Sequence, residues 1–345
     1  MDGRRVTHLF RDSPPRGSRP RRLAHNSLPL RSPMETILSA LLPVFCVVAL
    51  GTGLRRWVLP DPAHWVGLEQ ITYYVLFPAL LLVSAIRADM SRVSLIGTVG
   101  AMGLSLAVLC AGLLVARARL MRLHGIDGPA FTSVFQGTVR WNTYVALALA
   151  DGLYGTPGVA VAAVMLVCLI PAINVVVVAV LARYAGAEAP TAGRIVRQLI
   201  RNPLIVSCLA GAVINMSHVP VPHMALEVAD ILGRASLAVG LVVVGAGVSV
   251  RHLVRPGAGA LYSIALCLLV KPALALAFGL ALGLKGLELV VVTVICAVPS
   301  APAGYVLARQ MGGDAPLLAQ ILTLQLVAAA LTLPLVVAAA LAIGG

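Results

Sequence analysis

The chain has 345 residues, of which 59% are hydrophobic and only 11% are charged. Because a soluble domain carries about 25% charged residues, this composition excludes an ordinary soluble domain. The formal net charge of +13 does not indicate a nucleic-acid partner, because the basic residues lie in an N-terminal tail and in short loops between apolar runs. Runs of about 20 apolar residues predict an all-α polytopic protein that lies in a lipid bilayer.

Residues 1–33 are polar and rich in Pro and Arg, so they predict a disordered basic tail. They contain no apolar segment of the kind found in signal peptides. Because Met34 leads directly into the first apolar run, we interpret it as the natural start of the protein, with a transit peptide as the alternative. A peptide from native protein that spans Arg31 to Glu35 would contradict this interpretation.

Ten apolar runs follow the tail and are predicted to be membrane spans. They lie at 36–54, 66–86, 94–116, 130–150, 157–182, 203–218, 225–250, 258–284, 287–309 and 315–343. The longest connection, 185–202, separates a first half, 34–184, from a second half, 203–345. Since each half has five spans, the halves have opposite orientations, which is the layout of inverted-topology repeats.

The loops between the spans differ in their content of Arg and Lys. One alternating set of loops holds twelve of these residues and the other set holds three. The positive-inside rule places the richer set, including the loop at 183–202, in the cytoplasm and both termini outside.

Span 9 contains two prolines near its centre, Pro299 and Pro302. Proline lacks a backbone donor and clashes with the preceding turn, so the helix is expected to break there. Broken backbone at membrane depth is tolerated only against protein or a watery cavity. Ser300 and Ala301 lie between the prolines, where the start of a half-helix would present free N–H groups to an anion. A kink for packing is the alternative.

Three motifs carry a resemblance to a known family. Span 2 reads Tyr-Tyr-Val-Leu-Phe-Pro-Ala-Leu at 73–80, span 4 reads Arg-Trp-Asn-Thr-Tyr-Val at 140–145, and span 9 reads Pro-Ser-Ala-Pro-Ala at 299–303. Arg-Asn-Pro at 201–203 precedes span 6. In their order and spacing, these motifs resemble the auxin efflux carrier family of bacterial and plant permeases, and within it the bacterial permease branch, over roughly residues 34–345. The resemblance implies that the protein lies in a bacterial cytoplasmic membrane.

The resemblance implies ten helices in two inverted five-helix repeats, with helices 4 and 9 interrupted and crossing near the substrate. It implies a scaffold of helices 1, 2, 6 and 7, a transport bundle that moves as an elevator, and a homodimer formed through the scaffold. Family substrates are organic anions such as auxin or small dicarboxylates. One departure is that many members carry Gly and Pro soon after the helix 4 Asn, whereas this chain has Ala-Leu-Ala at 146–148. No proline therefore forces helix 4 to break.

Arg140 is the main candidate for binding a carboxylate, because a charge about ten residues into a span faces a cavity or a partner. Its guanidinium suits bidentate binding, although a structural pair, for example with Asp230, is the alternative. Asn142 offers a donor and an acceptor, or else caps a half-helix. Lys271 would neutralise a second carboxylate, or else pair with a carbonyl freed by Pro272. The full set of predicted substrate-binding residues is Arg140, Asn142, Thr143, Tyr144, Lys271, Pro299, Ser300, Ala301 and Pro302.

Glu69 and Asp230 are the acidic residues nearest to the membrane interior, and either can bind a coupling proton or sodium ion. The alternative for both is a helix cap or an arginine partner. No cofactor, metal or catalytic residue is expected, since the six cysteines are scattered and no Cys/His cluster occurs.

These features predict a secondary transporter, or permease, that moves a small organic anion, with a carboxylate as substrate, by elevator-type alternating access. The sequence has no Walker motif, so ATP hydrolysis is not expected. The alternatives are a non-transporting sensor or structural subunit and an intramembrane enzyme. Against an enzyme, the sequence lacks His-Glu-x-x-His and Gly-x-Ser-x-Gly.

Overall fold

The computed structural model describes residues 33–87, 94–186, 203–217, 219–248 and 256–344, together with Gly193, Arg197 and Arg201. Within these residues the protein is all-α, as predicted. Nearly all of the predicted tail and most of the loop at 185–202 lie outside the described residues.

The described residues include thirteen α-helices, numbered in chain order, and two π-helical turns. They are α1 (Pro33–Trp57), α2 (Pro62–Ile71), a π-turn (Thr72–Leu76), α3 (Phe77–Arg87), α4 (Leu95–His124), α5 (Gly128–Val139), α6 (Thr143–Ala185), α7 (Pro203–Ser217), α8 (His223–Ala246), α9 (Ala258–Ala265), a second π-turn (Leu266–Val270), α10 (Lys271–Ala281), α11 (Gly286–Ala297), α12 (Ala303–Gln310) and α13 (Ala315–Gly344).

Several helix ends follow from local sequence signals. Asp61 and Asp127 cap α2 and α5 by accepting hydrogen bonds from backbone N–H groups two and three residues further along. Pro62 follows the first cap directly, where a missing N–H is tolerated. α4 ends at Gly125, whose φ of 65° is the left-handed conformation common after a helix C-terminus.

Seven helical segments in the described residues are long and apolar enough to cross a membrane. One of them, Gly128–Ala185, has 58 residues and contains the predicted spans 130–150 and 157–182. It is interrupted between α5 and α6 and again at Gly155, whose φ of 60° is not helical. The spans predicted at 203–218 and 287–309 correspond to shorter apolar helices, so length alone gives seven candidates instead of ten.

The helices pack in two groups. α1, α3, α7 and α8 contact one another, with α1 against α8 and α3 against both α7 and α8. α4, α5, α6, α9, α10, α11 and α13 form the second group. The residues from Phe131 to Val139 of α5 and from Leu289 to Ala297 of α11 are all buried. The two short helices that end at interruptions therefore lie in the centre of the second group, surrounded by protein.

Candidate functional site

The interruptions in the fourth and ninth predicted spans contact each other. α5 ends at Val139 and α6 starts at Thr143, while α11 ends at Ala297 and α12 starts at Ala303. The backbone N–H of Asn142 donates a hydrogen bond of 2.7 Å to the carbonyl of Pro299. The break that the prolines predict in span 9 is thus present, and span 4 is broken at the same place in space although it has no proline there.

Asn142 explains how α6 can begin without a proline. Its side-chain Oδ1 accepts hydrogen bonds from the N–H groups of Tyr144 at 3.0 Å and Val145 at 3.3 Å. This is an N-cap, which satisfies two donors that a helix start leaves free. The structure shows the capping role that was the alternative to substrate contact, and Asn142 also reaches the cavity described below.

Lys271 stabilises the end of α5. Its Nζ donates to the carbonyls of Thr138 at 3.2 Å and Arg140 at 2.9 Å, and it lies 3.2 Å from Sγ of Cys267. The side chain is fully buried and does not line the cavity. A cation at a helix C-terminus is favourable because the free carbonyls carry partial negative charge. Lys271 therefore pairs with carbonyls freed by the break before α6, and not with one freed by Pro272.

Gln325 of α13 joins the two interruptions through a buried network. Its Oε1 accepts from the N–H of Ser300 at 2.9 Å, and its Nε2 donates to the carbonyls of Gly137 at 2.9 Å and Ser263 at 3.2 Å. Ser300 Oγ donates to the carbonyl of Gln136 at 3.1 Å. Ser300 and Pro299 are buried in this network and do not line the cavity.

A cavity of about 900 Å³ opens beside the two interruptions. Six of the nine predicted substrate-binding residues line it, namely Arg140, Asn142, Thr143, Tyr144, Ala301 and Pro302. Other lining residues come from α2, the π-turn before α3, the middle of α6, the start of α7 and α12. The ring of Tyr144 stacks on Phe77 of α3 with centroids 4.6 Å apart, so this wall joins α6 to the first helix group.

The cavity carries more positive than negative charge. Among its described lining residues, Arg140, Arg197 and Arg201 are cationic and Glu69 is the acid. Arg140 Nη2 donates to Oδ1 of Asn174 at 2.9 Å, while its Nε has no partner among the described residues. The guanidinium is thus positioned by one amide and retains a buried donor without a partner among the described residues.

The two acidic candidates have different surroundings. Glu69 of α2 is half-buried and lies on the cavity wall. Asp230 of α8 is away from the cavity and forms ion pairs with Arg87 at 3.1 Å and Arg234 at 2.6 Å. The predicted alternative of an Arg140–Asp230 pair is wrong, because Arg140 bonds Asn174 instead.

Several residues that line the cavity are not among the predicted substrate-binding residues. Asn174 is not among the predicted substrate-binding residues, although a polar amide in an apolar span is itself a signal. Arg197 and Arg201 were counted as topology markers between spans, and Arg201 also as part of the Arg-Asn-Pro motif, but neither was predicted to bind substrate. Trp141, which lies within the motif at 140–145, also lines the cavity. Gln70 and Gln310 line it too, and no pattern in the sequence distinguishes these two residues.

Long apolar helices, two of which are interrupted beside a cavity lined in part by polar residues, define a polytopic membrane protein. The chain matches the model of the membrane transport protein family over residues 36–337. It therefore belongs to this family, the auxin efflux carrier family, which confirms the resemblance, and its family members are transporters and not enzymes. No curated protein matches the chain.

Proposed function

We propose that the protein is a secondary transporter of a small organic anion and that its substrate is a carboxylate. The observation that carries this proposal is Arg140, which lines the cavity at the point where two interrupted helices meet and whose buried Nε has no partner among the described residues. A planar guanidinium binds a carboxylate through parallel hydrogen bonds.

Two further features support an anion. Three arginines and one glutamate on the wall give the described part of the cavity a positive balance, which raises the local concentration of anions. α6 and α12 both begin at this cavity, at Thr143 and Ala303, and helix N-termini carry partial positive charge.

We further propose ten spans in two inverted five-helix repeats, with alternating access of the elevator type. The two helix groups support a division into a scaffold of α1, α2, α3, α7 and α8 and a moving transport bundle that contains both interrupted spans. The scaffold would also form the homodimer contact, and the protein would lie in a bacterial cytoplasmic membrane with the loop at 183–202 inside.

Uptake of labelled carboxylates into proteoliposomes tests the proposal. Arg140→Ala is expected to lower uptake about tenfold to a hundredfold, since a hydrogen bond to a charged group contributes about 1.5–3 kcal/mol. Arg119→Ala, near the end of α4 and outside the cavity, is the matched control and should transport normally. Unchanged uptake by Arg140→Ala would remove Arg140 from the site, and chemical conversion of the solute would indicate an enzyme.

A further inference from the structure

Two arginines contact the ring of one tyrosine near the C-terminal ends of α4 and α6. The guanidinium carbon of Arg117 in α4 lies 4.3 Å from the ring centroid of Tyr184 in α6, and the guanidinium carbon of Arg183 lies 5.5 Å from the same centroid. The two guanidinium groups are therefore closer together than the Debye length, which is about 10 Å in 0.1 M salt. They repel each other, and both attract an anion that lies beside the ring.

The start of α5 holds the ring of Tyr184 in place. Phe131 packs its ring edge-on against Tyr184, with centroids 5.5 Å apart. A Cβ on Gly128 would overlap the carbonyl oxygen of Tyr184, so the backbones of α5 and α6 approach each other closely at this point. The ring that carries both guanidinium groups is thus positioned by the packing of α5 on α6.

No carboxylate of the described residues neutralises this pair of charges, since neither Arg117 nor Arg183 forms an ion pair with one. Asp127, in the connection between α4 and α5, accepts a hydrogen bond from the N–H of Ala130 and caps α5 instead. The positive-inside rule accounts for arginines at the end of a span, but not for two of them on one ring. The arrangement therefore indicates an anion that comes from outside the described part of the chain.

The depth of the two arginines places this anion among lipid headgroups. α4 starts at Leu95 and has 30 residues, so it is about 45 Å long, whereas about 20 residues cross the hydrocarbon core of about 30 Å. Arg117 comes shortly after the first 20 residues of α4, and Arg183 directly follows the predicted span 157–182. Both side chains therefore lie at the level where phospholipids carry their phosphates.

The neighbours of Arg117 on α4 favour a phospholipid over a soluble anion. Leu113 and Leu120, each about one turn from Arg117, are buried, whereas Leu114 and Met121, also about one turn away, are 39% and 47% exposed. Arg117 thus lies at the edge between the packed face of α4 and an apolar face that is open to lipid. The acyl chains of a bound lipid contact such an apolar face, and a free phosphate gains nothing from it.

We propose that Arg117, Arg183 and Tyr184 form a binding site for the headgroup of an anionic phospholipid. The guanidinium groups donate hydrogen bonds to the phosphate, and the tyrosine ring holds them next to each other. By binding one arginine from each helix, the lipid links the end of α4 to the end of α6. None of the three residues lines the cavity, so the site is separate from the proposed transport site and does not depend on the proposed function.

Binding of single lipids to the purified full-length protein in detergent tests the inference. The probes are phosphatidylglycerol and phosphatidylcholine with identical acyl chains, and native mass spectrometry measures the dissociation constant of each. The natural protein should bind phosphatidylglycerol about tenfold more tightly or better, because the choline of the other lipid neutralises its phosphate. Arg117→Gln should weaken phosphatidylglycerol binding about tenfold, since it removes hydrogen bonds to a charged group.

Three further variants separate a built site from diffuse attraction between charges. Arg119→Gln removes the same charge from an exposed position two residues along α4, and it should weaken binding far less than Arg117→Gln does. Arg117→Lys keeps the charge but loses the planar group that binds phosphate and stacks on the ring, so it should also weaken binding severalfold. Arg183→Gln should weaken binding like Arg117→Gln, and because Arg183 is exposed, this variant should fold even if Arg117→Gln does not.

Thermal unfolding provides the second readout. Added phosphatidylglycerol should raise the unfolding temperature of the natural protein and of Arg119→Gln, but not that of Arg117→Gln, whereas a purely structural role of Arg117 would leave the rise unchanged. Equal affinity for the two lipids, or equal losses in Arg117→Gln and Arg119→Gln, would overturn the inference. If inorganic phosphate at the same concentration stabilises the protein as much as phosphatidylglycerol does, the site binds a soluble anion and the lipid assignment is wrong.

Discussion

Glu69 differs from the other charged residues of the cavity because it is an acid in a site that we assign to an anion. A bound anion and the Glu69 carboxylate repel each other, so substrate binding is favoured when a proton or a sodium ion neutralises the carboxylate. Linkage is reciprocal, so substrate in turn favours binding of that cation. Asp230 has two arginine partners instead, at 3.1 Å and 2.6 Å, and is already neutralised.

We therefore expect uptake to depend on a proton or sodium gradient and expect Glu69→Gln to lose this dependence. Proteoliposomes with each gradient imposed separately measure it and identify the ion. Asp230→Asn is the control and should keep the gradient dependence, because exposed ion pairs contribute only about 0–1 kcal/mol to stability. Gradient dependence that persists in Glu69→Gln would exclude Glu69 as the coupling site.

At the scale of single elements, Asn142 caps the start of α6, and the proposed function gives it a second role in substrate binding. Asn and Asp are comparable N-caps, so Asn142→Asp should keep the cap of α6 and a near-natural unfolding temperature. It also adds a negative charge beside Arg140, so carboxylate affinity should fall at least about tenfold.

Asn142→Ala is the comparison, because it removes the cap and should lower stability by about 0.5–2 kcal/mol. Thermal unfolding and carboxylate binding measured on both variants separate the two roles. Natural affinity in Asn142→Asp would mean that Asn142 serves only as a cap.

The contact between α1 and α8 depends on two glycines, Gly51 and Gly245. A Cβ on Gly245 would overlap the carbonyl oxygen of Val48, and Thr52 Oγ1 donates to the carbonyl of Gly245 at 2.9 Å. Gly245→Ala must therefore push the helices apart, and we expect a loss of about 1–3 kcal/mol in the free energy of unfolding.

Gly112→Ala in α4 is the matched control for Gly245→Ala. No heavy atom lies within 4 Å of the position of its new Cβ, so the change should be neutral or stabilising, because Ala is the better helix former. Thermal unfolding in detergent compares the two variants, and equal unfolding temperatures would show that the α1–α8 contact tolerates a wider separation.

The two interruptions also show which structural features a sequence can reveal. The break between α11 and α12 is predictable because Pro299 and Pro302 act on their own backbone. The break between α5 and α6 depends instead on two long-range contacts. The Pro299 carbonyl accepts from Asn142, which is 157 residues away in the chain, and the Lys271 ammonium donates to the carbonyl of Arg140, which is 131 residues away. Such long-range contacts leave no local pattern in the sequence. The sequence alone therefore does not determine whether helix 4 is interrupted.

The same limit applies to the cavity. Arg140 was predictable because a charge deep in an apolar span is itself unusual. Arg197 and Arg201 lie in the connection between the fifth and sixth predicted spans, where basic residues are expected for topological reasons alone. Their presence on the cavity wall depends on how the start of α7 packs beside α6, and only the folded structure shows it.

At the scale of the whole molecule, the topology depends on whether α7 crosses the bilayer. α7 has 15 residues and is about 22 Å long at a rise of 1.5 Å per residue, whereas the hydrocarbon core is about 30 Å thick. A short span is accommodated when the bilayer thins or flanking residues extend to the interface. The ten-span proposal requires α7 to cross, which places Arg201 in the cytoplasm and Met224, at the start of α8, outside.

Single cysteines placed at these two positions in a variant without the six natural cysteines test this arrangement. A membrane-impermeant maleimide should label Met224→Cys in intact cells, because this side chain is 76% exposed and begins the helix on the outer side. It should label Arg201→Cys only after the membrane is permeabilised. Labelling of both positions from one side would show that α7 does not cross, and the halves would then lack the opposite orientations that inverted repeats require. A reversed pattern would keep the repeats and place the basic loops outside, against the twelve-to-three distribution of Arg and Lys.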